Sequence, residues 1–65
     1  MDRETKMACL RITARGIRGS LLRKYSHDLD GYRRCYARNA SIADIQADLA
    51  EVEAAEAELQ ALEAE

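Results

Sequence analysis

The chain has 65 residues, a net charge of −2, no proline and only three glycines. A domain this short buries only about 60% of its unfolded surface, so its small core needs reinforcement by disulfides, a metal or self-association. Two cysteines, one histidine and no apolar run near the roughly 20 residues of a membrane span leave self-association as the expected route for a soluble, cytoplasmic protein.

Residues 3–38 form the first predicted element, a long basic helix. Apolar side chains recur along it at steps of three and four and shift by one position near Tyr25, as in a stutter that leaves the helix intact. We favour one continuous or bent helix. The apolar stripe consists of Met7, Leu10, Ala14, Ile17, Leu21, Tyr25, Leu29, Tyr32 and Tyr36.

Two stretches are alternative break points, residues 16–20 and residues 28–31. Gly16 and Gly19 each cost about 1 kcal/mol in a helix interior, and Ser20 is suited to cap a new helix there. Because both glycines lie off the stripe, they also suit the close approach of another chain. The second stretch, DLDG, resembles part of a calcium loop, but its glycine comes too early and ligands are missing, so we expect no metal.

The predicted turn covers residues 39–41, with Asn39 as a left-handed carboxy-terminal cap. Ser41 and Asp44 fit an acidic capping box, which starts a second helix over about residues 42–63. Its seam repeats as a heptad in which Glu56 occupies the one polar position.

Together these patterns predict an all-α, antiparallel helical hairpin, a single domain over residues 1–65 that self-associates as a homodimer into a helical bundle. Its two helices would share one apolar interior. The residues expected to face the core or the dimer are Met7, Leu10, Ile17, Leu21, Leu29, Ile42, Ile45, Leu49, Val52 and Leu59.

Cys9 and Cys35 lie 26 residues apart. That separation is about 39 Å along one helix, whereas a disulfide needs Cα atoms within about 7 Å. We therefore expect free thiols, with an intersubunit bridge or a redox role as the alternatives. His27 has no second metal ligand nearby and is expected to face solvent.

The charges divide at Arg38, the last basic residue. Residues 1–40 carry all ten Lys and Arg against four acids, a net +6, and residues 41–65 carry eight carboxylates and no base, a net −8. One explanation is internal, because an acidic helix that folds back along a basic one gains orientation from surface ion pairs. The basic residues expected to face it are Arg11, Arg15, Arg18 and Arg23.

A second explanation is a protein partner. Carboxylates at Asp48, Glu51 and Glu58 would present a negative field to the basic surface of a DNA-binding regulator, much as phosphates do. Eight arginines against two lysines, with twelve alanines, favour a GC-rich bacterial genome or one of its phages or plasmids.

A third explanation uses the basic half. Tyr32, Arg33, Arg34 and Tyr36 combine charge with aromatic faces, which suits nucleic acid or a protein hot spot. The alternative is that the tyrosines complete the core near the turn, with their hydroxyls at its edge. A self-associating hairpin also resembles in shape the four-helix bundle of the plasmid RNA-modulator proteins.

We expect a non-catalytic regulator or inhibitor that binds another protein, such as a host transcription regulator, and that is encoded by a phage or mobile element. Partner-binding residues would be those of the acidic row and of the Tyr/Arg cluster. The alternative function is a nucleic-acid-binding dimer that uses the basic half. No enzyme activity or cofactor is expected, since a thin hairpin offers no concave site.

Overall fold

In the computed structural model, which describes residues 2–65, the chain folds into four helices and no strand within that range. The predicted all-α class is confirmed. The helices are α1, Arg3–Arg15; α2, Ile17–Lys24; α3, Leu29–Tyr36; and α4, Ile42–Glu63.

The single first helix that the sequence favoured is wrong, because the chain breaks twice before α4. Gly16 has an extended backbone (φ −68°, ψ 179°) and separates α1 from α2. Residues 25–28 then separate α2 from α3. Ser20 does not cap a helix at Leu21; it lies inside α2, where its hydroxyl donates to the Arg15 carbonyl oxygen at 3.2 Å.

Gly19 explains why α2 can fold back onto the end of α1. A Cβ on Gly19 would lie 2.6 Å from the carbonyl oxygen of Ala14 and would also meet that of Thr13. Only a residue without a side chain permits this approach. The close contact that the glycines suggested with another chain is therefore made within this chain.

Local capping accounts for the starts of α1 and α3. Asp2 accepts a hydrogen bond from the Thr5 backbone N–H at 2.7 Å, and this bond lowers the pKa of the Asp2 carboxyl. Asp28 accepts from the Gly31 N–H at 3.1 Å, so the DLDG stretch is a helix start. The predicted cap at Asn39 is wrong, because no residue from 2 to 65 has a positive φ.

The start and extent of α4 were predicted correctly. Ser41 Oγ accepts from the Asp44 N–H at 3.1 Å, and the Asp44 carboxylate accepts from the Ser41 N–H at 3.4 Å. This is the expected capping box. The helix then runs to Glu63, the predicted end.

The core forms where α4 crosses the other three helices, all of which it contacts. Leu22, Tyr32, Ile45 and Val52 form its centre, and Leu22 and Val52 are fully buried. Along α1 and α4 the ion-pair partners run in opposite order, from Arg3–Glu65 to Arg15–Glu56, so α4 is antiparallel to α1. Within residues 2–65, no helix is both long enough and apolar enough to cross a bilayer.

Most of the predicted interior residues lie in or beside this core. Ile17, however, is 84% exposed, and Leu22, which the sequence did not select, takes a buried position instead. The break at Gly16 restarts the helical phase, so the stripe read along a single helix no longer applies to α2. Buried predicted residues are Met7, Ile45, Val52 and Leu59, and half-buried ones are Leu10, Leu21, Leu29, Ile42 and Leu49.

Candidate interaction surfaces

An arginine-centred network joins α4 to α1 and α2. Arg15 Nε lies 2.8 Å from Glu56 Oε1, and Arg15 Nη2 lies 2.9 Å from Glu63 Oε1. Arg23 approaches the same Glu56 oxygen at 3.5 Å. The Glu56 side chain is only 12% exposed, and its hydrogen bonds with Arg15 lower the pKa of its carboxyl. Glu56, the polar position in the α4 seam, therefore forms its ion pairs at the edge of the core, where little of its side chain is exposed.

Further pairs tie α4 to the basic helices nearer its ends. Lys6 Nζ lies 2.8 Å from Glu58, a contact that raises the pKa of Lys6, and Arg18 lies 3.4 Å from Asp48. The internal explanation of the charge split is confirmed for Arg15, Arg18 and Arg23. Arg11, also expected to take part, has no ion pair among residues 2–65.

The three predicted carboxylates of the acidic surface differ in their engagement. Asp48 and Glu58 are held by Arg18 and Lys6, whereas Glu51 is exposed and forms no ion pair with any residue that the structure describes. Glu53, which the sequence reasoning did not select, is in the same state as Glu51. Uncompensated negative charge is therefore concentrated at the middle of α4.

The outer face of α4, opposite the core, is a stripe of exposed alanines at alternating steps of four and three. It was not predicted, although the same heptad spacing is visible in the sequence once the seam is set aside. Glu51 and Glu53 flank the stripe on its two sides. The stripe consists of Ala43, Ala47, Ala50, Ala54, Ala57 and Ala61, all exposed.

The three tyrosines form one aromatic cluster between α2 and α3. Ring centroids are 6.3 Å apart for Tyr25 and Tyr32, 5.9 Å for Tyr25 and Tyr36, and 5.6 Å for Tyr32 and Tyr36. The neighbouring Tyr36 hydroxyl, through its charge and then its hydrogen bond, raises the pKa of Tyr25. Tyr32 is 7% exposed and belongs to the core, as its place on the apolar stripe predicted, so little of its side chain is available to a partner; Tyr36 is 53% exposed.

The arginines beside this cluster are held by their own helix. Arg33 lies 3.0 Å and Arg34 3.3 Å from the two oxygens of Asp30. The structure thus brings together Tyr32, Tyr36 and two arginines on α3. Both arginines, however, are already paired with Asp30, and Tyr32 is buried.

Residues proposed for other chemistry stand apart from one another. Cys9 and Cys35 are free and exposed, and His27 is exposed, as expected from the sequence. Within residues 2–65 no cluster of three potential metal ligands and no cavity occurs. Comparisons with protein families, curated proteins and solved structures found no match. Function is therefore inferred from the exposed helix faces.

Proposed function

We propose that the protein is a small, non-catalytic interaction module, a regulator or inhibitor that binds the basic surface of another protein through the outer face of α4. Its partner would be a DNA-binding transcription regulator of the host, with the protein encoded by a phage or mobile element and acting in the cytoplasm. The supporting observation is that α4 holds the other helices with one face and leaves the opposite alanine face uncovered between Glu51 and Glu53.

The dimensions of this face suit an extended partner surface. Its 22 residues span about 33 Å at 1.5 Å per residue. Since interaxial distances depend on the side chains at the contact, an alanine surface allows a partner helix to approach closely. The face is therefore long and smooth enough to receive a whole helix.

The uncompensated charge on α4 determines the charge that a partner surface must carry. Glu56 and Glu63 face arginines of the same chain and are compensated. Glu51 and Glu53 have no such cation among the described residues, so their field extends into solvent beside the alanines. A basic surface that normally binds phosphates is complementary to that field.

The experiment compares single charge removals of equal size. Tagged wild-type protein is used to capture a DNA-binding protein from bacterial lysate, and the purified pair is then titrated against the captured protein's labelled DNA. We expect the wild type to displace the DNA. Glu51→Gln and Glu53→Gln should each weaken the protein–protein affinity about two- to fivefold, as for loss of one exposed ion pair.

The matched control is Glu4→Gln, which removes an exposed carboxylate from α1 with no ion pair in the described range. It should leave the affinity unchanged. Equal weakening by Glu4→Gln would contradict a site on α4. Direct binding of the protein itself to duplex DNA or RNA at about 0.1 M salt, without displacement of any regulator, would favour the nucleic-acid-binding alternative.

A further inference from the structure

The outer face of α1 carries apolar surface that no other residue from 2 to 65 covers. Ile12 is 74% exposed, and Ile17, the first residue of α2, is 84% exposed. These are two of the three large apolar side chains exposed on residues 2–65, the third being Tyr36 on α3. On α1, the exposed residues Ala8 and Cys9 lie one turn before Ile12 and extend its face.

The centre of this face is uncharged, although α1 is a basic helix. It consists of small and apolar side chains. Of the three cations that flank it, Lys6 and Arg15 are paired with α4, whereas Arg11 has no ion pair among residues 2–65. Lys6 contacts Glu58, and Arg15 contacts Glu56 and Glu63. Repulsion between like charges of two copies of this face is therefore limited to Arg11.

We infer that this face binds a second copy of the chain, with α1 of one protomer against α1 of its partner. The other long uncovered face, on α4, is unsuited to self-pairing because the unpaired Glu51 and Glu53, which flank it, would meet carboxylates of the same sign. A dimer through α1 also leaves the outer face of α4 free in both copies. The inference is thus independent of the function proposed for α4.

The size of the interface determines its strength. α1 has 13 residues, about 20 Å of helix, which is small beside the roughly 800 Å² per partner of a standard interface. We therefore expect a reversible dimer whose population rises with concentration. Ile12 is the largest exposed apolar side chain on α1, so its removal should weaken the dimer most.

Sedimentation equilibrium over a range of concentrations tests the inference. Wild-type protein should dimerise reversibly, and Ile12→Ser should raise the dissociation constant at least about tenfold while keeping the helical circular dichroism of the wild type. The matched control is Tyr36→Ser, which removes the exposed apolar side chain of α3 and should leave the dissociation constant unchanged. Ala54→Glu, on the outer face of α4, should also leave it unchanged.

A second readout needs no substitution. Cys9 lies on the proposed interface and Cys35 on α3 outside it. As concentration rises, alkylation of Cys9 by iodoacetamide should slow while that of Cys35 does not. A wild type that stays monomeric up to about 1 mM, equal alkylation of both thiols at all concentrations, or a dimer broken by Ala54→Glu rather than Ile12→Ser would overturn the inference.

Discussion

Glu56 combines an unusual place in the sequence pattern with partial burial and ion pairing. It interrupts the apolar seam of α4, and the structure places it at 12% exposure beside Arg15 and Arg23. A carboxylate there is stabilised by hydrogen bonds that the uncharged acid would not retain. The heptad pattern indicated that Glu56 is a polar residue in an apolar seam. Its arginine partners, however, lie on α1 and α2, which the sequence had favoured as one helix.

The pH dependence of stability should report this residue. Because the folded-state pKa of Glu56 lies below its ordinary value near 4.5, its contribution is present above that value and is lost as pH falls through the lower folded-state pKa. We expect Glu56→Gln to lower the free energy of unfolding at pH 7. The same variant should lose less of that free energy than the wild type when the pH falls. Urea unfolding at pH 7 and pH 3 measures both effects. Glu53→Gln is the exposed control, and parallel pH profiles for wild type and Glu56→Gln would contradict the assignment.

Gly19 is the residue that permits the fold-back of α2. Alanine would raise helix propensity by about 1 kcal/mol, but its Cβ would collide with the Ala14 carbonyl oxygen, a backbone atom that cannot rotate away. We expect Gly19→Ala to destabilise the protein by about 1–3 kcal/mol in urea unfolding. Gly31→Ala, whose Cβ would displace the Asp28 carboxylate from its capping bond but would meet no backbone atom, should cost about 1 kcal/mol, the value of a cap. A stabilised Gly19→Ala would show that α1 and α2 form one helix.

At the scale of elements, α4 was predictable because independent signals agree along it. Ser41 and Asp44 fix its start, the seam gives a single buried face, and alanines favour helix throughout. Its bounds followed correctly from these features. Its second, outward-facing alanine stripe has no packing partner within the part of the chain that the structure describes, so it produced no fold signal.

The three helices before α4 were not predictable as separate elements from the same rules. The costs of Gly16 and Gly19 are small enough for packing to outweigh, so the pattern allowed either one helix or several. The deciding factor is tertiary, the approach of α2 to the end of α1. Once the chain breaks at Gly16, Ile17 turns outward and Leu22 inward.

The capping box should be measurable as a contribution of the element itself. Ser41→Ala removes the acceptor for the Asp44 N–H and should lower stability by about 1 kcal/mol. Urea unfolding followed by circular dichroism measures the loss. Ser26→Ala, at a serine whose side chain makes no hydrogen bond to residues 2–65, is the control. No difference between these two variants would mean that the start of α4 is held by packing alone.

At the scale of the whole molecule, the charge split serves the fold first. α4 lies antiparallel to α1 and also packs against α2, and arginines and a lysine of those two helices meet its carboxylates. Only part of the negative charge remains for a partner. The sequence predicted that the basic and acidic helices would pair. It overestimated the number of unpaired carboxylates, because Asp48 and Glu58 are held by Arg18 and Lys6.

The centre of the molecule should tolerate truncation least. Leu22 is fully buried among Tyr32, Ile45 and Val52, whereas the adjacent Leu21 is half-buried at the edge. We expect Leu22→Ala to cost about 2–5 kcal/mol and Leu21→Ala clearly less, as measured by urea unfolding. A larger loss at Leu21 would restore the stripe read along one continuous helix.

The packing of α4 against the other three helices underlies both proposed surfaces, and nuclear Overhauser contacts test it most directly. Spectra on a mixture of isotopically labelled and unlabelled protein would distinguish contacts within one chain from those between copies. We expect cross-peaks within one chain between the methyl groups of Leu22 and those of Ile45 and Val52. Methyl cross-peaks confined to single helices, or seen only between copies, would contradict this fold.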